Sequence, residues 1–191
     1  MAKQTTTINT AGGAWTQLVA GECTVAALVA NATVSTALIS LRVTLSGGTS
    51  SYILPMNSLP FNTPNRIAVG GISLKAGDKL EALSSANVNW MVTVVTGAAY
   101  KSNIVTAPAT DTWTTLVSGP ATVRALFTSS PGVGTVSARL NKPSGETIIV
   151  LGEEMATGGS KRLMVPIVVA TGETIQVKGT STAYWIATGV E

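Results

Sequence analysis

The chain has few of the side chains that enzymes use for acid–base or metal chemistry. None of its 191 residues is histidine, so the side chain that titrates closest to neutral pH is missing. Of the nine acidic residues only Glu153 and Glu154 are adjacent, and successive strand residues point to opposite faces, which disfavours a glycosidase pair. We interpret these two as part of a solvated loop. The composition predicts that the protein is not an enzyme and has no cofactor.

Two further acidic residues and the single cysteine have simple structural interpretations. Asp78 and Glu173 each follow a glycine in a similar turn, which favours turn-forming hydrogen bonds. A shared calcium site is disfavoured, because Ca²⁺ takes about six to eight oxygen ligands and the sequence has no acidic cluster. Cys23 cannot form an intrachain disulfide, and its strand-like neighbours predict a buried apolar side chain. The sequence therefore predicts no metal site.

An internal repeat organises the chain. Residues 15–28 match residues 113–126 without a gap, and residues 39–43 match residues 136–140. A repeat of this length is the signature of one supersecondary unit used twice. We therefore predict a duplicated domain.

Alternating side chains predict that each copy consists of strands. Apolar Ile39, Leu41 and Val43 alternate with polar residues, among them Arg42, and the matching strand places Arg139 at the equivalent outward position. Glycine, threonine, serine, valine and alanine dominate the composition, which favours short strands and turns. We predict an all-β fold of two tandem antiparallel β-sandwich domains, jelly-roll-like and related by internal duplication.

The repeat also sets the predicted domain boundaries. Residues 1–12 are expected to form an extended N-terminal arm, and residues 13–97 the first β-sandwich. Residues 98–111 are expected to form a linker, and residues 112–191 the second β-sandwich. Polar terminal arms are often disordered until they bind a partner.

Four tryptophans begin and end the two copies, and two interpretations of them remain open. In one, they plug the ends of the sandwiches, with each indole N–H bonded to an acceptor. In the other, they are exposed platforms for sugar rings, which would require exposed aromatic side chains in a row. The residues concerned are Trp15, Trp90, Trp113 and Trp185, with Tyr52, Tyr100 or Tyr184.

Charge and hydropathy exclude two classes of partner. The net charge of +3 is spread singly along the chain, with Lys161-Arg162 the only basic pair, so we expect no nucleic-acid partner. The start of the chain has no apolar run and no stretch approaches about 18 apolar residues, so we expect neither a secretory signal nor a membrane anchor. These features predict a soluble protein made in a cytoplasm.

The polar start Met-Ala-Lys-Gln-Thr-Thr-Thr, the low charge and the duplicated Ser/Thr/Ala/Val/Gly-rich units together resemble the virion structural proteins of tailed bacteriophages. Within that class the chain is most similar to capsid decoration or cement proteins. The resemblance implies a virion location, a major capsid protein or other virion protein as partner, and a homo-oligomer or many copies on a symmetric assembly. Tail, neck and head-fibre accessory proteins share this style, and a carbohydrate-binding or host-recognition module is a further alternative.

The residues that we predict to contact partners come from the arm and from a loop that differs between the copies. Two similar faces on one chain make a second weak contact intramolecular once the first has formed. A loop that has merely drifted between the copies is the alternative interpretation. The candidates are Lys3, Thr5 and Thr6 in the arm, Leu59, Pro60, Phe61 and Pro64 in the first copy, and Glu153, Glu154 and Met155 in the second.

Overall fold

The structure is a computed structural model that describes residues 2–67, 69–96, 100–164 and 166–191. The chain divides into two compact units, unit 1 from Met1 to Tyr100 and unit 2 from Lys101 to Glu191. The described residues form nineteen β-strands and no helix. The predicted all-β, two-domain fold is confirmed.

Unit 1 contains nine strands arranged in two antiparallel sheets. One sheet has the order β1-β9-β3-β6, with β7 also paired to β3, and the other has the order β2-β8-β4-β5. This order, with β1 to β4 alternating between the sheets, is that of a jelly roll. The strands are β1 (Lys3–Thr10), β2 (Thr16–Ala20), β3 (Cys23–Ala32), β4 (Ala37–Thr44), β5 (Ser50–Leu59), β6 (Asn65–Ile67), β7 (Ile72–Leu74), β8 (Lys79–Ser84) and β9 (Val88–Thr96).

Unit 2 repeats this arrangement. Its sheets have the orders β10-β19-β13-β16 and β11-β18-β14-β15, with a short β12-β17 pair. The strands correspond one to one with those of unit 1, except that β12 and β13 together replace β3. They are β10 (Lys101–Ala107), β11 (Thr114–Ser118), β12 (Ala121–Val123), β13 (Ala125–Ser129), β14 (Gly134–Asn141), β15 (Thr147–Met155), β16 (Ser160–Leu163), β17 (Ile167–Val169), β18 (Thr174–Gly179) and β19 (Ala183–Val190).

Each core is built from the inward residues of alternating strands. In β9, Val88, Trp90, Val92 and Val94 are buried, while the residues between them are more exposed. Burial of one such aliphatic side chain stabilises the fold by about 1.5–3 kcal/mol. Cys23 is also buried, as predicted, and this burial raises the pKa of its thiol.

The domain boundaries differ from those predicted at both joints. Residues 3–10, predicted to be a free arm, form β1, which pairs with β9 from Lys3↔Val95 to Thr10↔Val88 without a register shift. Residues 101–107, predicted to be linker, form β10, which pairs with β19. The polar side chains of β1 hid this role, because Ile8 is its one apolar residue and the strand therefore shows no apolar alternation. Met1 of the predicted arm and residues 98–99 of the predicted linker lie outside the described residues.

The two acidic turn residues have the structural role that the sequence predicts. Asp78 accepts the backbone N–H groups of Ser46 and Lys75, both at 3.0 Å. Glu173 accepts the backbone N–H of Ala170 at 2.9 Å. Each carboxylate therefore fixes the turn beside it.

One tryptophan of each unit is a core residue, and the two differ in their hydrogen bonding. Trp90 and Trp185 are both fully buried. Trp90 donates its indole N–H to Thr10 Oγ1 at 3.0 Å, and that hydroxyl lies 2.7 Å from Ser84 Oγ. In unit 2 the position of Thr10 is occupied by Ala107, and the indole N–H of Trp185 has no partner within the described part of the chain.

Candidate interaction faces

The other tryptophan of unit 1 lies on the outer surface of the sheet β2-β8-β4-β5. Trp15 is half-buried, and the guanidinium of Arg42 stacks on its ring at 4.1 Å. Tyr52 packs edge-on against the same ring, with 5.8 Å between centroids. Arg42 also donates from Nε to Glu81 Oε2 at 2.8 Å, and Thr44 donates its hydroxyl to that oxygen. We call Trp15, Arg42, Tyr52 and Glu81 the Trp–Arg face of unit 1.

Unit 2 carries the same arrangement on the matching sheet. The guanidinium of Arg139 stacks on Trp113 at 4.1 Å, the distance seen in unit 1. Gln176 takes the place of Glu81 and accepts Arg139 Nε–H at 3.0 Å and Nη2–H at 2.8 Å. Ile149, which is 60 % exposed, takes the place of Tyr52 opposite the arginine. Lys178 also lies near the ring of Trp113. We call Trp113, Arg139, Ile149, Gln176 and Lys178 the Trp–Arg face of unit 2.

The local sequence explains why both faces form. Arg42 lies between buried Leu41 and Val43, so the alternation of β4 turns its side chain away from the core. Arg139 follows buried Ala138 in the same way on β14. Stacking on tryptophan contributes about 0.5–1 kcal/mol at an exposed site and more when the pair is desolvated. The prediction of matching outward arginines is therefore confirmed.

The two faces differ in charge. In unit 1 the charge of Arg42 is balanced by Glu81, whose side chain is only 13 % exposed. In unit 2 a second cation, Lys178, lies 5.0 Å from the ring of Trp113 and pairs with Asp111 at 2.8 Å. Arg139 has no carboxylate partner among the residues that the structure describes. The face of unit 2 therefore keeps one positive charge that unit 1 neutralises.

The Arg42–Glu81 pair makes the face of unit 1 sensitive to acid. Partial burial by itself raises the pKa of the Glu81 carboxyl. The hydrogen bonds from Thr44 and Arg42 and the charges of Arg42 and Lys79 outweigh this effect and hold the pKa below its ordinary value. Gln176 does not titrate, so the equivalent contact in unit 2 does not depend on pH.

Unit 1 also has an apolar region beside its face. Leu38 and Met56 are 46 % and 70 % exposed, and Met56 donates its backbone N–H to Ser40 Oγ at 3.0 Å. Leu83 lies opposite Ser40 in the register of β4 and β8. Leu38 and Ser40 lie on the same side of β4 as Arg42, and Leu83 lies on the same side of β8 as Glu81. The corresponding residues of unit 2 include Thr135 and Lys178, so this apolar region is specific to unit 1.

The predicted partner residues of the arm lie on the surface of unit 1. Lys3, Thr5 and Thr6 are exposed on β1, and Thr5 Oγ1 lies 3.1 Å from Thr93 Oγ1. The second predicted segment is not brought close to them. Phe61 forms a β-bridge with Ala32, which pairs with Val88 at one end of β9. Lys3 pairs with Val95, near the other end of β9.

The predicted loop residues of unit 1 divide between surface and core. Pro60, Phe61 and Pro64 are exposed, Phe61 by 52 %. Leu59 is 1 % exposed, because it is the last residue of β5 and pairs with buried Ala37. The prediction that Leu59 contacts a partner is therefore wrong in this fold, since the strand extends further than the sequence indicated.

The predicted residues of unit 2 divide in the same way. Glu153 and Glu154 are exposed, but they belong to β15 and not to a loop, and Glu153 pairs with Lys161 at 3.3 Å. Met155 is 3 % exposed and packs in the core. Met155 is therefore corrected from a contact residue to a core residue. Glu154 and Met155 border an open surface depression of about 610 Å³ next to exposed Val133.

Sequence reasoning missed the distinction between the two kinds of tryptophan, although a signal existed. Trp90 is in phase with Val88 and Val92, which is the pattern of an inward residue. Trp15 is two residues before exposed Gln17 and so shares its side of the strand, whereas buried Leu18 faces the other side. The two interpretations of the tryptophans therefore apply to different residues: Trp90 and its counterpart fill the cores, and Trp15 and its counterpart lie on outer faces.

Among the described residues the structure places neither a metal-binding cluster nor a membrane-spanning helix. No group of three or more cysteine, aspartate and glutamate side chains is placed to hold a metal ion. None of these residues belongs to a helix with the length and apolar character needed to cross a bilayer.

Comparisons with known proteins find likeness only in structure. No family model matches the chain, and no curated protein matches it in sequence. The major capsid protein P2 from Bacteriophage PM2 is similar with a TM-score of 0.41 and 10 % identity, covering 98 % of each chain. PBSX exported protein XepA is similar with a TM-score of 0.35 and 8 % identity, covering 100 % of this chain and 86 % of the other. The N-terminal CBM22-1–CBM22-2 tandem domain of Paenibacillus barcinonensis Xyn10C is similar with a TM-score of 0.29 and 8 % identity, covering 99 % and 91 %. At these scores the likenesses carry no argument about function.

Proposed function

We propose that the protein is a non-enzymatic structural component of a virion, a decoration or cement protein that binds at capsomer junctions through its two similar units. The observation that carries the proposal is the repetition of one outer face. Each unit has a tryptophan stacked with an arginine at 4.1 Å, and the two stacks lie on equivalent sheets of the two jelly rolls. Two related faces on one chain give avidity from two weak contacts.

The structure changes how the chain would attach. The N-terminal segment belongs to the first jelly roll as β1, so attachment rests on the faces and not on a free arm. Exposed apolar side chains on or beside each face, such as Met56 in unit 1 and Ile149 in unit 2, provide surface that a capsid protein could cover.

Binding to purified virions stripped of this protein tests the proposal. Met56→Lys and Ile149→Lys each place a charge where a partner would cover the face, and each is expected to weaken binding. The double variant is expected to lose more than tenfold in affinity, since avidity needs both contacts. Val168→Lys is the matched control, because Val168 is 69 % exposed on β17, outside both faces.

Two outcomes would contradict the proposal. If the protein does not bind such particles, or if the double face variant binds as tightly as the Val168→Lys control, attachment does not use the two faces. Tail, neck and head-fibre placements are separated from capsid placement by which part of the particle retains the protein.

A carbohydrate-binding role is less well supported by the geometry. A sugar stacks on a free aromatic ring face, whereas one face of Trp15 and one face of Trp113 are covered by arginine guanidinium groups. A glycan array with the intact chain tests this role, and saturable binding that quenches tryptophan fluorescence would favour it over the virion role.

A further inference from the structure

The face of unit 2 contains a guanidinium whose charge no carboxylate of the chain neutralises. Arg139 stacks on Trp113 and gives two hydrogen bonds to the amide oxygen of Gln176. A guanidinium has five N–H donors, so three remain for another acceptor. Arg139 is half-buried, which strengthens its attraction for an anion while it keeps contact with solvent.

The neighbouring charges of unit 2 leave this excess in place. Lys178 approaches the same tryptophan at 5.0 Å and adds a second positive charge. Asp111 pairs with Lys178 at 2.8 Å and balances that one charge. No carboxylate in the described part of the chain balances the charge of Arg139, so a group from another molecule can do so.

Unit 1 shows what kind of group fits. At the equivalent position Glu81 brings a carboxylate to within 2.8 Å of Arg42, beside the same kind of tryptophan stack. Glu81 is thus an internal example of a protein carboxylate bound by this arrangement. Unit 2 keeps the arginine and the tryptophan but replaces the acid by Gln176.

We propose that the Trp–Arg face of unit 2 binds a carboxylate from an acidic polypeptide segment of a partner, through the guanidinium N–H groups of Arg139 that Gln176 leaves free. This site goes beyond the proposed virion role and does not depend on it, because it follows from the comparison of the two units alone. Charge-assisted hydrogen bonds to arginine are about twice as strong as neutral ones, which favours a carboxylate over an amide as the outside acceptor.

The test uses the full chain, labelled with ¹⁵N, and the indole and arginine Nε–H signals in NMR spectra. The probe is acetyl-tetraglutamate amide, and acetyl-tetraglutamine amide is its uncharged control. We expect the signals of Trp113 and Arg139 to shift in a saturable manner with the acidic peptide, and those of Trp15 and Arg42 to shift much less. Added salt should weaken the effect, since the site is partly exposed.

Two reciprocal substitutions make the test specific. Gln176→Glu copies unit 1 and supplies an internal carboxylate, so it should lower the affinity at Trp113 by about tenfold or more. Glu81→Gln copies unit 2 and should create a new response at Trp15 and Arg42. This second variant keeps the test valid if Gln176→Glu disturbs folding, because it predicts a gain of binding.

Several outcomes overturn the proposal. They are the absence of a Trp113 response in the native chain, an equal response to the glutamine peptide, and an undiminished response in folded Gln176→Glu. An unchanged unit 1 in Glu81→Gln also contradicts it. A response to glucuronate without any response to the acidic peptide would assign the site to acidic sugars and reject a polypeptide partner.

Discussion

Replacing Thr10 with valine tests the buried hydrogen bonds of unit 1. Thr10 Oγ1 accepts the indole N–H of Trp90 at 3.0 Å and lies 2.7 Å from Ser84 Oγ. All three residues are at most 1 % exposed. Valine keeps the shape of threonine but removes the hydroxyl, so Trp90 and Ser84 each lose a hydrogen-bond partner in the core.

The size of the effect follows from these contacts. An unpaired buried donor or acceptor costs about 1–3 kcal/mol, and here two groups lose a partner. We therefore expect the free energy of unfolding of unit 1 to fall by about 2–6 kcal/mol. With a urea dependence of about 2 kcal/mol per molar, the middle of the usual range, the midpoint of unit 1 should fall by about 1–3 M.

Indole signals in ¹⁵N NMR spectra recorded across a urea series report each unit separately. Trp15 and Trp90 follow unit 1, and Trp113 and Trp185 follow unit 2, which serves as an internal reference. Thr7→Val is the control on the same strand, because Thr7 is exposed and should change the stability by less than about 0.5 kcal/mol. If Thr10→Val shifts the unit 1 midpoint no more than this control, the assigned hydrogen bonds do not stabilise the fold.

Three further predictions concern single groups. Ala107→Thr should raise the urea midpoint of unit 2 by supplying Trp185 with the acceptor it lacks, and Ala107→Val should not; equal effects of the two would contradict this. As the pH falls below about 4.3, the ordinary pKa of glutamate, unit 1 should lose stability that Glu81 provides. That contribution is complete above the unfolded-state pKa and lost as the pH falls through the lower folded-state pKa, so Glu81→Gln should abolish this part of the pH dependence of the unit 1 midpoint. Cys23 should react with a thiol reagent at pH 8 only slowly in the folded protein and rapidly in urea, since burial raises the pKa of its thiol; rapid reaction without urea would show that it is accessible.

The repeat allowed the sequence to predict most of the fold. Where both copies keep the same apolar alternation, as at Ile39–Val43, the strand and its outward arginine are found as predicted. The duplicated turns at Asp78 and Glu173 are also found, because their short-range hydrogen bonds depend on local sequence alone. Local pattern was therefore sufficient for these elements.

The first strand of each unit could not be predicted in this way. β1 and β10 are edge strands with few similar positions: Ile8 and Val105 lie opposite the core tryptophans, and Thr5 and Ser102 lie opposite Thr93 and Thr188. A threonine-rich edge strand and a free polar arm have the same composition. The choice between them depends on the pairing with β9, which is a long-range contact that no local pattern encodes.

The candidate faces were hidden for a related reason. Arg42 was expected to point outward, but its stacking on Trp15 depends on the pairing of β2 with β8, which brings distant segments together. The pairing of Arg42 with Glu81 likewise depends on the register of β4 and β8. The sequence could name the residue types, whereas sheet register decides which of them share a face.

A cryo-electron microscopy map of the particle that contains this protein would show whether both Trp–Arg faces contact neighbouring proteins. Two related contacts per chain are expected, one made by the sheet surface around Trp15 and Arg42 and one by the surface around Trp113 and Arg139. A map in which one or both of these surfaces face solvent would contradict the proposed attachment through two faces.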